Sequence, residues 1–154
     1  MTEQQTQAEQ NKAFVRRTIA EAWNQGDLNQ LEEIVDVSHM DYGRHPEEPS
    51  GPEGRRQQIA MYRTAFPDFE ATVEEQLAEG DKVVTRWTFR GTHSGALNHP
   101  RLGTIPPSGK VVMFSGLTVS HIVGGKIADS WTIWDRVGLL QQLGVVPAPG
   151  QAKD

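Results

Sequence analysis

The chain has no cysteine among its 154 residues, which excludes disulfides, thiolate nucleophiles and cysteine-type zinc sites. That absence agrees with a reducing compartment. No apolar run approaches the ~20 residues that span a bilayer. The opening "MTEQQTQAEQNK" is polar with no apolar signal core, so a cytoplasmic protein is expected. Basic charge is scarce too: 15 Lys and Arg against 20 Asp and Glu leave a net charge of −5. Binding to nucleic acid through counterion release needs a clustered basic face, and none is present; neither nucleic acid nor a membrane is an expected partner. Metal-ligand spacing is also missing. His39 and His45 stand six apart, with no His-x₃-His pair and no two-histidine-one-carboxylate set, so neither metal nor cofactor is expected.

What is there reads as one domain, because the composition nowhere breaks and the length suffices for a core without staples. The expected limits are a disordered polar leader at 1–10, the domain at 11–145 and a flexible Pro/Gly-rich tail at 146–154. Val15, Ile19, Ala22 and Trp23 recur at helical spacing up to a stop at Gly26. Asp27 is placed to cap a second helix through Leu28, Leu31, Ile34 and Val35. The stretch "HMDYGRHPEEPSGPEG" holds three prolines and three glycines and reads as loop, closing in a Ser50-to-Glu53 capping box. A third helix through Ile59, Met61, Tyr62, Ala65 and Phe66 follows, stopped by Pro67.

From Asp68 the period becomes two: Phe69, Ala71, Val73 and Leu77 alternate with polar residues, then Gly80-Asp81 turns the chain. In the next strand Val83, Thr85, Trp87 and Phe89 share one face, and Val84, Arg86, Thr88 and Arg90 the other. "KVVMFSGLTVSHIV" is a third strand, and Gly124-Gly125 makes a tight hairpin into the fourth, "KIADSWTIW". Three helices, four hairpin-joined strands and a short terminal helix describe an α+β domain whose curved antiparallel sheet wraps the N-terminal helices.

The stretches "FVRRTIAEAWNQGD", "SGPEGRRQQIAMYRTAFPDFEATVEEQLAEGDKVVTRWTFRGTHSG", "GTIPPSGKVVMFSG" and "GGKIADSWTIWDRVGLLQQLG" occur in an order that resembles the SnoaL-like polyketide cyclase (ester cyclase) family of the NTF2-like superfamily. The resemblance implies a cone-shaped α+β barrel in which the concave sheet and the third helix enclose a pocket and the outer sheet face pairs two subunits as a homodimer. It also implies an intramolecular aldol cyclisation run by an aspartate on the last strand and a histidine on the strand before it. Those two positions fall on Thr132 and Thr118, whose hydroxyls have no accessible pKa near neutrality and serve only as hydrogen-bonding groups.

Acid/base candidates therefore lie elsewhere. The segment "SHMDYGRHPEE" is densest in titratable groups, and His45 with Asp41 forms the favoured catalytic pair, ahead of His39, His93 and His99. Asp135 is a third candidate, although its place before the terminal helix suits a cap. Trp23, Tyr42, Tyr62, Phe66, Trp87 and Trp134 are expected to line an apolar pocket, and Thr118, Ser120, Ser130 and Thr132 to make its concave wall hydroxylated. The expected activity is cofactor-free cyclisation or isomerisation of a small, largely apolar, oxygenated, polyketide-like substrate. An epoxide hydrolase using Asp135 with Arg86 or Arg44, or a non-catalytic binding protein of the same fold, is the alternative.

Overall fold

The computed structural model describes residues 2–45, 47–147 and 150. The first helix, α1 (Glu3–Thr18), starts earlier than its apolar spacing requires, because Thr2 and Gln5 form a reciprocal capping box. The Gln5 N–H donates to Thr2 Oγ1 (3.2 Å) and the Thr2 N–H to Gln5 Oε1 (2.9 Å). Residues 3–10, expected as a disordered leader, are thus helical. The helix runs on into a π-helical turn, Ile19–Asn24. There the Asn24 side chain accepts from the Ala71 N–H (2.7 Å) and donates to the Ala71 carbonyl (2.9 Å), fastening the turn to a strand as another strand would.

The second helix is a single turn, α2 (Leu31–Ile34). Asp27 caps no helix; its carboxylate accepts from the Asn29 N–H (3.1 Å), and Val35 already belongs to the first strand, β1 (Val35–Asp41). That strand corrects the loop expected over His39 to Asp41. The third helix, α3 (Gly51–Ala65), begins after Ser50, but the Ser50 side chain makes no capping bond, so the predicted capping box does not form.

The remaining strands are β2 (Glu70–Glu79), β3 (Lys82–Thr92), β4 (Leu97–His99), β5 (Gly103–Ile105), β6 (Val111–Val123) and β7 (Lys126–Trp134), followed by α4 (Arg136–Gln142). Five of them form one sheet in the order β1-β7-β6-β3-β2, and β4-β5 is a separate ribbon. β1 runs parallel to β7 while every other pairing is antiparallel. The sheet is therefore mixed and open, with β1 and β2 as unjoined edges, where an antiparallel barrel was expected. A bulge between Val73 and Glu75 shifts the phase of β2. Leu77, expected inside with Phe69, Ala71 and Val73, is consequently exposed, and Gln76 turns inward to bond Thr85 Oγ1 (3.2 Å).

α1 packs on β2 and β3, and α3 packs on β1 and the ribbon. The main core lies at the end of the sheet near α4. Phe66, Phe69, Phe89, Phe114, Leu97, Val112, Leu139 and Leu143 are all buried there, Phe89 stacking on Phe114 at 4.4 Å and meeting Phe69 edge-on at 4.4 Å. Each such ring stabilises the fold by about 2 kcal/mol through removal of apolar surface from water. Toward α1 the packing thins and the concave face holds a cavity. Val146 packs against the core cluster, so the tail is anchored at its first residue; most of the remainder lies outside the described residues. No helix among the described residues is long and apolar enough to cross a membrane.

Candidate active site

The cavity, about 130 Å³, lies between the concave face of the sheet, the π-helical turn and α3. Its aromatic wall comprises Trp23, Tyr62, Phe69, Trp87, Phe89, Phe114 and Trp134. The two indoles Trp87 and Trp134 sit side by side because Gly116 lies between them: a Cβ there would come within 2.5 Å of the Trp87 ring and 2.7 Å of the Trp134 Cβ. Tyr62 meets the Trp134 ring edge-on at 6.3 Å.

The same concave face is also hydroxylated, as the two-residue period of β6 and β7 predicts: Thr118, Ser120, Ser130 and Thr132 all line the cavity, joined by Thr18 and Thr85. The Trp87 indole N–H donates to Thr118 Oγ1 (3.0 Å), and the Thr118 and Thr132 hydroxyls share a hydrogen bond of 3.1 Å. An indole only donates and a threonine has one proton, so one hydroxyl proton of this chain remains free for a molecule in the cavity. Ser130 Oγ lies 3.1 Å from His39 Nε2. His39 is 2 % exposed, and burial holds its imidazole down to about 4, so it is neutral at pH 7. It reaches the cavity only through Ser130.

Three ionisable side chains line the cavity: Asp41, Arg55 and Tyr62. Asp41 ends β1 and pairs in register with Ser130 of β7, so the parallel strand carries it to the cavity rim. The turn that follows crosses close over β7. A Cβ at Gly43 would run into the Thr132 carbonyl oxygen, so this position needs glycine. The Gly43 N–H in turn donates to Asp41 Oδ1 (3.1 Å). Burial pushes the Tyr62 phenol up to about 12, so it is a neutral O–H donor, and its oxygen has no hydrogen-bond partner among the described residues. Arg55 projects from α3, one helical turn before Ile59. Desolvation disfavours its charge, while the Asp41 carboxylate supports it.

The other candidates are distributed differently. His45 lines a neighbouring cavity with His39, Arg44 and Glu48, and its Nδ1 accepts from the Glu47 N–H (3.3 Å). Asp41 lines that cavity as well, and no hydrogen bond joins the two side chains. Tyr42 is 50 % exposed and stacks on Trp131 at 4.9 Å, outside the cavity, because the turn after Asp41 carries the next side chain to the far side of β7. Phe66 belongs to the packed core and not to the cavity wall. Asp135 accepts from the Gly138 N–H (2.8 Å) as the cap of α4. Arg86 pairs with Glu75 (3.2 Å) and Arg44 with Glu48 (2.8 Å), so neither joins Asp135 in an epoxide-opening set. His93 bonds Ser108 Oγ (2.9 Å), and His99 accepts from the backbone of Arg101 and Leu102, which gives both turn-holding roles. Sequence reasoning missed Arg55 and Gln58. The signal was available, since stepping back along α3 from Tyr62 and Ile59 by helical spacing lands on both.

An α+β fold with a cavity between its curved sheet and helices, lined by aromatic rings and hydroxyl groups, defines the class. The chain belongs to the SnoaL-like polyketide cyclase family, whose profile matches residues 13–143. Among solved structures, it is similar to TsrD from Streptomyces laurentii, with 31% identity and a TM-score of 0.74 over 87% of this chain and 97% of that one. It also resembles IdmH from Streptomyces antibioticus, provisionally assigned as a polyketide cyclase, at 33% identity and a TM-score of 0.68 over 88% and 99% of the two chains. AclR from Streptomyces galilaeus, provisionally assigned as a hydroxylase, matches at 26% identity and a TM-score of 0.71 over 92% and 85%. No curated protein matches the chain.

Proposed function

We propose that the cavity binds a small, largely apolar, oxygenated molecule of polyketide type and catalyses its cyclisation or isomerisation by acid/base chemistry, with Asp41 as the proton-transferring group. The observation that carries this reading is that Asp41 is the one carboxylate among the residues lining an otherwise aromatic and hydroxylated cavity. Its carboxylate takes a proton from a carbon next to a carbonyl. The Tyr62 O–H and the free hydroxyl proton of the Thr118–Thr132 chain donate to the enolate oxygen that forms. Carbon–carbon bond formation by that enolate on a second carbonyl, with the proton passing from Asp41 to the new alkoxide oxygen, gives a ring, and return of the proton to a different carbon gives an isomer. Asp41 thus supplies from β1 the proton transfer for which Thr132 on β7 has no suitable group.

Enolisation, the step shared by both outcomes, is measurable without the natural substrate. The protein is expected to speed deuterium exchange at the α-carbon of an aromatic β-keto ester in D₂O, followed by proton NMR. Asp41→Asn is expected to lose that acceleration by about 10²-fold or more. Undiminished exchange in the Asp41→Asn protein overturns the assignment.

A further inference from the structure

Arg55 has no task in the reaction above. A guanidinium carries five N–H donors and a charge that is costly to withdraw from water unless it is paired. Other arginines packed between elements are satisfied. Arg63 donates to the carbonyls of Trp23 and Asn24 (2.8 Å each), Arg56 pairs with Glu32 (2.6 Å) and Glu53 (2.7 Å), and Arg44 holds Glu48 (2.8 Å) together with the Pro49 and Gly54 carbonyls. Arg55 makes no hydrogen bond and no ion pair with any described residue, although it lines both cavities. The Asp41 carboxylate acts on it electrostatically without forming an ion pair. A half-buried, unengaged fork at the polar end of an aromatic cavity is an incomplete bidentate site, and a planar carboxylate completes it. A phosphate dianion fits less well, since a single guanidinium faces it and Asp41 opposes the second charge.

We infer that the molecule this cavity takes is an aromatic or conjugated carboxylate, seated with its acid group on Arg55 and its ring system among the aromatic side chains of the sheet. The inference rests on the cavity being the substrate site proposed above, and it adds the substrate's charge. A carboxylate on Arg55 brings a like charge toward Asp41.

The test compares 2-naphthoate with its methyl ester, using saturation-transfer NMR titrations on the full chain. The native protein is expected to bind the acid at least about tenfold more tightly than the ester. In Arg55→Gln that preference is expected to fall to about one, and Arg55→Lys to retain part of it, because an ammonium keeps the charge and loses the fork. Equal binding of acid and ester by the native protein, binding of neither up to millimolar concentration, or a preference that survives in a folded Arg55→Gln protein overturns the inference. The native comparison decides even if Arg55→Gln fails to fold. The readout is independent of the exchange assay: an acid preference together with unaltered exchange in Asp41→Asn would sink the proton-transfer role alone.

Discussion

His39 and His121 titrate in opposite senses, so the stability of the fold is expected to fall on both sides of neutrality. Burial lowers His39 from 6.5 to about 4, so its protonation favours the unfolded chain. The stability tied to its neutral form is complete above pH 6.5 and is lost as pH falls toward 4, on the order of 3 kcal/mol in all. His121 is clamped between Asp129 (2.9 Å) and Asp81 (2.7 Å), which raise its pKa. Its smaller contribution is present below 6.5 and disappears as pH rises through the raised value. Urea titrations across pH should show His39→Gln flattening the acid limb and His121→Gln the alkaline limb; unchanged slopes in both would contradict these assignments. At this scale the sequence was legible wherever strand alternation governs direction, which is why Thr118, Ser120, Ser130 and Thr132 face the cavity as expected. It was illegible at Tyr42 and His45, because turn geometry and not a period aims those side chains.

Among the elements, β1 matters most for the site and was hardest to read. "VDVSHMD" has no clean alternation, because the strand is an edge, is bulged between Val35 and Met40, and leaves Val37 85 % exposed. The bulge in β2 misled for a related reason: one extra residue reverses every later side chain, so Leu77 reads as core and lies outside. Helix α3 and strands β3, β6 and β7 were readable because each buries one regular stripe. The close passage of the turn after β1 over β7 makes a specific prediction. Gly43→Ala forces a Cβ against the Thr132 carbonyl and should destabilise the fold by on the order of 2 kcal/mol. It should also reduce enolisation in the fraction that stays folded, because the displaced turn holds Asp41. Parent-like urea midpoint and exchange rate together would refute the tight crossing.

For the whole molecule, the outer sheet face is the open question that burial answers best. Val111, Met113, Leu117, Trp131 and Ile133 are all exposed on the side opposite the cavity, a patch costly to leave in water. A second copy of the chain on that face is the expected cover, as the family resemblance suggested. Light scattering at micromolar concentration should report a dimer, and Trp131→Glu a monomer; a monomeric native protein would dismiss the homodimer. The parallel pairing of β1 with β7 has a further effect, on the order of assembly. His39 and Ser130, which meet across that pairing, are 91 residues apart. On the ribosome β1 emerges long before its partner exists, so Asp41 finds its place only after β7 has been made and docked. The candidate site is therefore completed late as the domain is synthesised. A chain cut before β7 would lack the strand against which Asp41 is held.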